Sequence, residues 1–170
     1  GHPMCGKETG GFAAAEAGLF EGMTFVLCPL PRTSTAALAT ARSMAEATGA
    51  RVRVLDPVQH DRAVAAISHL PYLAAAGLVN AVTSGATTGG GDSLALSLAA
   101  SGFRDTTRVA ASDVDMMLDI LLTNHAAVLE WLEAYAGQLA ALATLLRSGD
   151  EPSLRDRLAR ARETRRGIKF

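Results

Sequence analysis

The chain is 170 residues long, 49% hydrophobic and 19% charged, with a formal net charge of -1 at pH 7. That balance excludes a disordered chain, and near-neutrality removes any global field toward nucleic acid or acidic lipid. Two cysteines, Cys5 and Cys28, make no disulfide framework and are read as reduced thiols of a cytoplasmic protein.

The opening "GHPMCGKETGGF" reads as a tight glycine-bearing loop of the kind that follows a strand, so the sequence is expected to start partway through a site. "TFVLCP" (24–29) and "RVRVLDP" (51–57) carry the residue types of short strands. Between them Thr33 or Ser34 caps a predicted helix over "TAALATARSMAEAT", and Gly49 ends it. Two strands joined through a helix of this length should lie parallel, with a right-handed crossover.

Beyond Pro57 the pattern is Ala and Leu at helical spacing. "HDRAVAAISHLPYLAAAGLVNAVTS" (60–84) predicts one long helix, started at His60 and Asp61 and kinked at Pro71. Gly85 and 89–91 form a connection, and Asp92 starts a shorter helix ended by Gly102. Ser112 or Asp113 caps a helix predicted to run unbroken from Val114 to Ser148 and to stop at Gly149. At that length, with few central charges, it calls for a partner helix or a second subunit. "PSLRDRLARARETRR" reads as a basic amphipathic surface helix; without aromatic residues for stacking it is not a nucleic-acid face. No uninterrupted apolar stretch of about 18 residues and no basic-then-apolar amino end are read, so neither a membrane span nor secretion is expected.

Histidine occurs four times. His125 reads as a surface or packed residue within its helix. His60 and Asp61 form a His-Asp dipeptide that metal-dependent phosphohydrolases also use, but the further ligands are missing and no metal is expected. His69 lies one turn before Pro71, where loosened backbone can aim a polar group into a cavity. "GKETGG" lacks the Ser or Thr and the upstream glycine of a phosphate-cradling loop, and "TTGGGD" follows no strand. No nucleotide site is complete.

"HPMCGKE", "GLFEG", "VLCP", "HD", "SHLP" and "GFRDTTRVAASD" occur in an order and at spacings that resemble the prephenate dehydrogenase family of tyrosine biosynthesis. The resemblance covers essentially the whole chain but only the carboxyl-terminal portion of such an enzyme. It implies a mainly α protein: residues 1–58 as the strand-helix-strand tail of a Rossmann α/β domain, and residues 59–170 as an all-α substrate-binding and dimerisation domain. It implies oxidation of the ring carbinol of prephenate by hydride transfer to NAD or NADP, with loss of carbon dioxide. His2 matches the family's catalytic histidine, a neutral imidazole suited to taking the hydroxyl proton. Arg108 matches the carboxylate-binding arginine, with Glu8, Ser68, Tyr72, Lys7 and Asp105 also placed at the substrate.

Two departures stand out. Tyr72 replaces a second pocket histidine, and Met117 stands near the position of a frequent tryptophan, which leaves prephenate and arogenate both open as substrates. With the main cofactor loop outside this sequence, the fragment alone is expected to be inert and to hold no cofactor tightly. The expected partner is a second copy of the chain, with no nucleic acid and no membrane. The alternatives are a non-catalytic helical dimerisation or ligand-sensing domain of the same ancestry, which would need neither His2 nor Arg108, and another hydroxy-acid or amino-acid dehydrogenase, which would not explain "HPMCGKE" beside "GFRDTTR".

Overall fold

A computed structural model describes residues 1–6, 11–84 and 92–169. His2–Pro3 (β1), Thr24–Leu27 (β2) and Arg51–Val54 (β3) form a sheet in the order β1-β2-β3. As the spacing predicts, β2 and β3 run parallel and are joined through Thr35–Ala47 (α1). Ser34 caps α1 by accepting from the Ala37 amide at 3.1 Å. Gly49 ends the connection with φ +80, where a side chain would also press on the Glu21 backbone, so two separate constraints select glycine. Val26 and Leu27 of β2 and Ala45 of α1 are buried, the apolar layer of this unit.

The opening segment is not all loop. His2 and Pro3 pair antiparallel with Val26 and Phe25, and the Met4 amide extends the ladder to the Thr24 carbonyl at 2.8 Å. Proline fits here because Pro3 and Phe25 form the pair that exchanges no N–H bond in the β1–β2 ladder, so the missing N–H costs none of it.

The long helical run begins three residues before the expected start, at Pro57, because Asp56 accepts from the Val58 and Gln59 amides at 2.9 and 3.2 Å. It comprises Pro57–Val64 (α2), a π-helical turn over Ala65–His69, and Leu70–Thr83 (α3). Where a kink at Pro71 is expected, the helix widens ahead of it: the Leu70 amide bonds back to the Ala65 carbonyl, five residues earlier. Proline has no N–H to offer the preceding turn, and widening that turn accommodates the loss. Contrary to the absence expected from sequence, the 27-residue run Pro57–Thr83 is long and apolar enough, by length and composition, to cross a membrane.

Asp92–Ser97 (α4) and Ser101–Thr107 (α5) follow, and α5 leads into a 3-10 turn over Arg108–Ala111. Gly102 therefore does not end a helix; it sits in the first turn of α5, where its amide needs no intrahelical partner. Helix α3 packs against α4, α5 and the Arg108–Ala111 turn. The expected helix from Val114 to Ser148 is two helices, Val114–Thr123 (α6) and His125–Ser148 (α7), parted at Asn124. Asp113 caps α6 through the Met116 amide at 2.8 Å. The glycine connection read at 85–91 lies outside the described residues.

The chain divides into two compact units, Gly1–Val128 and Leu129–Phe170. In the first, Ala65, fully buried, forms a core cluster with Ala127 and Val128, with Leu73 and Leu121 packed on it. In the second, Gly149 takes φ +66 after α7, the Asp150 amide returns to the Leu145 carbonyl at 3.2 Å, and Asp150 caps Glu151–Gly167 (α8). Arg157 of α8 donates to Gln138 of α7 at 3.0 Å.

Candidate active site

Within the first unit the sheet edge and three helical elements bring polar side chains together. His2, held on β1 against β2, places Nδ1 2.8 Å from Nε2 of His60, and the two rings meet edge to face with centroids 5.1 Å apart. The other ring nitrogen of His60, Nδ1, lies 2.9 Å from the Asp61 carboxylate. Asn124, in the gap between α6 and α7, donates through Nδ2 to the Asp61 carbonyl at 2.8 Å and lies 3.4 Å from Nδ1 of His69. His69 closes the π turn and is buried, 7% exposed.

Burial pushes the His2 pKa below the ordinary histidine value, and the His60 charge and then the Gly1 amino group push it the same way. His69 is also lowered, first by burial and then by His2, with Asp61 opposing and His60 adding. Both imidazoles are therefore held neutral at pH 7, the form able to accept a proton. Cys28, just beyond β2, has its thiol pushed up by burial, partly offset by the Gly1 amino group, with Asp61 and Asp56 raising it further. It is no activated nucleophile. Among the described residues no group of three or more His, Cys, Asp or Glu is arranged to hold a metal ion.

Of the residues singled out from sequence, His2 is at the centre of this cluster. Ser68 precedes His69 on the exposed side of the π turn, and Tyr72 is half-buried in the first turn of α3. Arg108 is exposed at the head of the turn that packs on α3. Asp105, on α5, accepts from Arg104 Nε at 2.9 Å, and both side chains are exposed. Lys7 and Glu8 lie outside the described residues. Met117 is buried in α6.

Sequence reasoning missed His60 and Asn124 as members of the cluster. His60 and Asp61 are read there as a helix start, but they stand one turn inside α2, whose cap is Asp56. His60 and His69 are nine positions apart; at about 100° per residue a regular helix puts them on opposite faces. The extra residue of the π turn brings the second face back by about 100°, enough for the two imidazoles to feel one another. The available signal was the proline at 71, which marks where regular helical phase cannot be assumed.

Residues 56–160 match the family model described as prephenate dehydrogenase, dimerization domain, and residues 1–54 match prephenate dehydrogenase, nucleotide-binding domain. The chain belongs to the prephenate dehydrogenase family. Within that family it is 32% identical over 168 residues to the prephenate dehydrogenase of Bacillus subtilis, covering 99% of this chain and 44% of the relative. It is also 32% identical to the cyclohexadienyl dehydrogenase of Zymomonas mobilis, of which it covers 57%. The chain thus spans about half the length of the curated relatives it matches. Among solved structures, Aquifex aeolicus prephenate dehydrogenase in complex with hydroxyphenyl propionate and NAD+ superposes with TM-score 0.90 at 29% identity, covering 99% of this chain and 58% of that one. Synechocystis arogenate dehydrogenase gives 0.85 at 35% identity, with 96% and 59% covered.

Proposed function

We propose that the chain is the substrate-handling portion of an oxidoreductase that converts prephenate to 4-hydroxyphenylpyruvate, with residues 1–58 closing the nucleotide-binding domain and residues 59–170 forming the substrate-binding and dimerisation domain. The observation that carries this is His2: a half-buried imidazole held neutral, 2.8 Å from a second histidine, in a chain of this family. His2 takes the proton of the ring hydroxyl. Arg108 holds a substrate carboxylate through its planar fork, and the family resemblance assigns Ser68, Tyr72, Asp105, Lys7 and Glu8 to the substrate as well. The connection between β2 and α1, "CPLPRTS", has no glycine and so lacks the Gly-rich pattern of a phosphate-cradling turn. The hydride acceptor is NAD or NADP.

Arogenate is the second substrate to test, because an arogenate dehydrogenase and a cyclohexadienyl dehydrogenase are among the relatives. The large exposed apolar side chains, Leu118, Leu122, Leu129, Leu139 and Leu146 among them, and the match to a dimerization domain support a homodimer. The same reading takes Pro57–Thr83 as a domain helix of a cytoplasmic enzyme, since it carries His60, Asp61 and His69 into the polar cluster.

The test is steady-state kinetics of the full-length protein carrying this chain, with prephenate and arogenate against NAD and NADP. His2→Asn should keep much of the affinity and lower turnover by about 10²- to 10⁴-fold, the range for a lost general base. Arg108→Ala should raise KM about 30-fold or more with the fold intact, and Arg108→Lys should recover only part. Wild-type turnover in His2→Asn overturns the mechanism. Unchanged kinetics with a lowered melting temperature in Arg108→Ala makes Arg108 a structural residue.

A further inference from the structure

We propose that His60 and Asp61 are positioning residues for His2: together they fix which ring nitrogen of His2 is free to accept a proton. The inference rests on the reading of His2 as the base. It follows from counting hydrogens along the chain of contacts. A carboxylate only accepts, so the 2.9 Å bond between Asp61 and His60 is donated by Nδ1–H of His60. A neutral His60 so arranged has its lone pair on Nε2. The 2.8 Å bond between the two histidines must then be donated by Nδ1–H of His2. That leaves the lone pair of His2 on Nε2, the nitrogen that faces away from His60.

The rest of the cluster holds this order in place. Asn124 fastens the Asp61 carbonyl at 2.8 Å, and the His60 side chain is only 15% exposed, so its ring stays between its two partners. Among the described residues, the titratable side chains that face His2 are His60 from α2 and His69 from the π turn; Asp61 faces both His60 and His69. When Nε2 of His2 takes the substrate proton, the O–H bond breaks and an N–H bond forms. The O–H electron pair would become the new carbonyl bond as the carbinol hydrogen is lost as hydride, the two-electron acceptor chemistry that a nicotinamide dinucleotide would supply when bound. His2 is then a cation, and its Nδ1–H bond to His60 becomes charge-assisted and stronger, with the Asp61 carboxylate behind it.

The experiment separates this ordering from the activity. The chain labelled with ¹⁵N in its histidine rings is examined by NMR above pH 7.5, where the two nitrogens of each ring are distinguished as protonated or bare. His2 is expected as the Nδ1–H form. His60→Phe keeps a ring and removes the acceptor, and His2 should shift toward the Nε2–H form; His60→Gln, whose amide oxygen can accept, should restore Nδ1–H in part. Asp61→Ala, an exposed position, is the second variant should His60→Phe fail to fold, and it should move His2 in the same direction. In the full-length protein His60→Phe should lower kcat by about 10- to 100-fold with KM little changed, less than the roughly 10⁴-fold loss when a catalytic triad loses its orienting acid. His2 remaining Nδ1–H in both His60→Phe and Asp61→Ala overturns the proposal, as does unchanged kcat beside a shifted tautomer. Full turnover in His2→Asn overturns the base assignment instead, and leaves the NMR result standing as a statement about the cluster.

Discussion

The helical run from Pro57 to Thr83 and the run from Val114 to Ser148 are both interrupted, by opposite devices. The first stays continuous and gains one residue in the Ala65–His69 turn; the second stops at Asn124 and restarts at His125. The two interruptions meet, since Asn124 bonds the Asp61 carbonyl and lies 3.4 Å from His69. A regular helix spends its backbone donors and acceptors on itself and presents side chains at fixed phase. Here, one helix changes phase to turn a histidine inward, and the other opens to let an amide reach the first helix's backbone. His69 and Asn124 thus enter an otherwise Ala- and Leu-rich unit at the points where helical regularity is given up.

The largest effect that would break this comparison is expected at Ala65, the first residue of the π turn, fully buried against Ala127 and Val128. Ala65→Leu forces extra methylenes into the place where the two runs touch and should cost about 1–3 kcal/mol. Urea titration of the chain measures it; an unchanged midpoint would mean that the runs are not packed as described. Next comes Asn124→Ala. It removes the bond to Asp61, worth about 1 kcal/mol, while alanine's better helix propensity returns about 0.5 kcal/mol. The net loss should stay under about 1 kcal/mol, with helical signal in circular dichroism rising as α6 and α7 join. A loss of helical signal would show that the gap is needed for folding itself.

The mildest test is pH. His2 and His69 both have pKa values lowered in the folded chain, so between about 6.5 and their folded values the unfolded chain binds more protons. Stability should be flat from these groups above pH 6.5 and fall as the solution is acidified below it. Asp150, whose carboxylate is held low by Ser153, acts only at more acid pH and does not blur the window. Melting temperatures between pH 7.5 and 5.5 read the effect. A rise in stability on acidification would mean that a histidine gains a charged partner on folding, contrary to the cluster described.

How much of this is legible in the sequence depends on how local the cause is. The β2–α1–β3 unit is readable because Ser34, the apolar run at Phe25–Leu27 and Gly49 each act within a few residues. The pairing of His2 with Val26 is not, because a two-residue strand carries no period and depends on a partner over 20 residues away. His2 and Arg108 stand out through family resemblance rather than through their own surroundings. Asn124 was invisible: inside the polar triplet "TNH" it looks like one more exposed position, and only the Asp61 carbonyl, 63 residues distant, gives it a purpose. Gly102 misled for a related reason, since a glycine can as well occupy the first turn of a helix as end one.

The π turn has a consequence for how this chain can change over generations. Single-residue deletions in a helix usually damage packing because everything downstream rotates by about 100°. Here the extra residue is already present, so a deletion within 65–69 would yield an ordinary helix of good geometry whose later half, from His69 through Tyr72 to Thr83, faces a different direction. Such a variant would lose the His69 environment while keeping its helices. Length in that short stretch is therefore itself a specified quantity, as much as the identity of any residue in it.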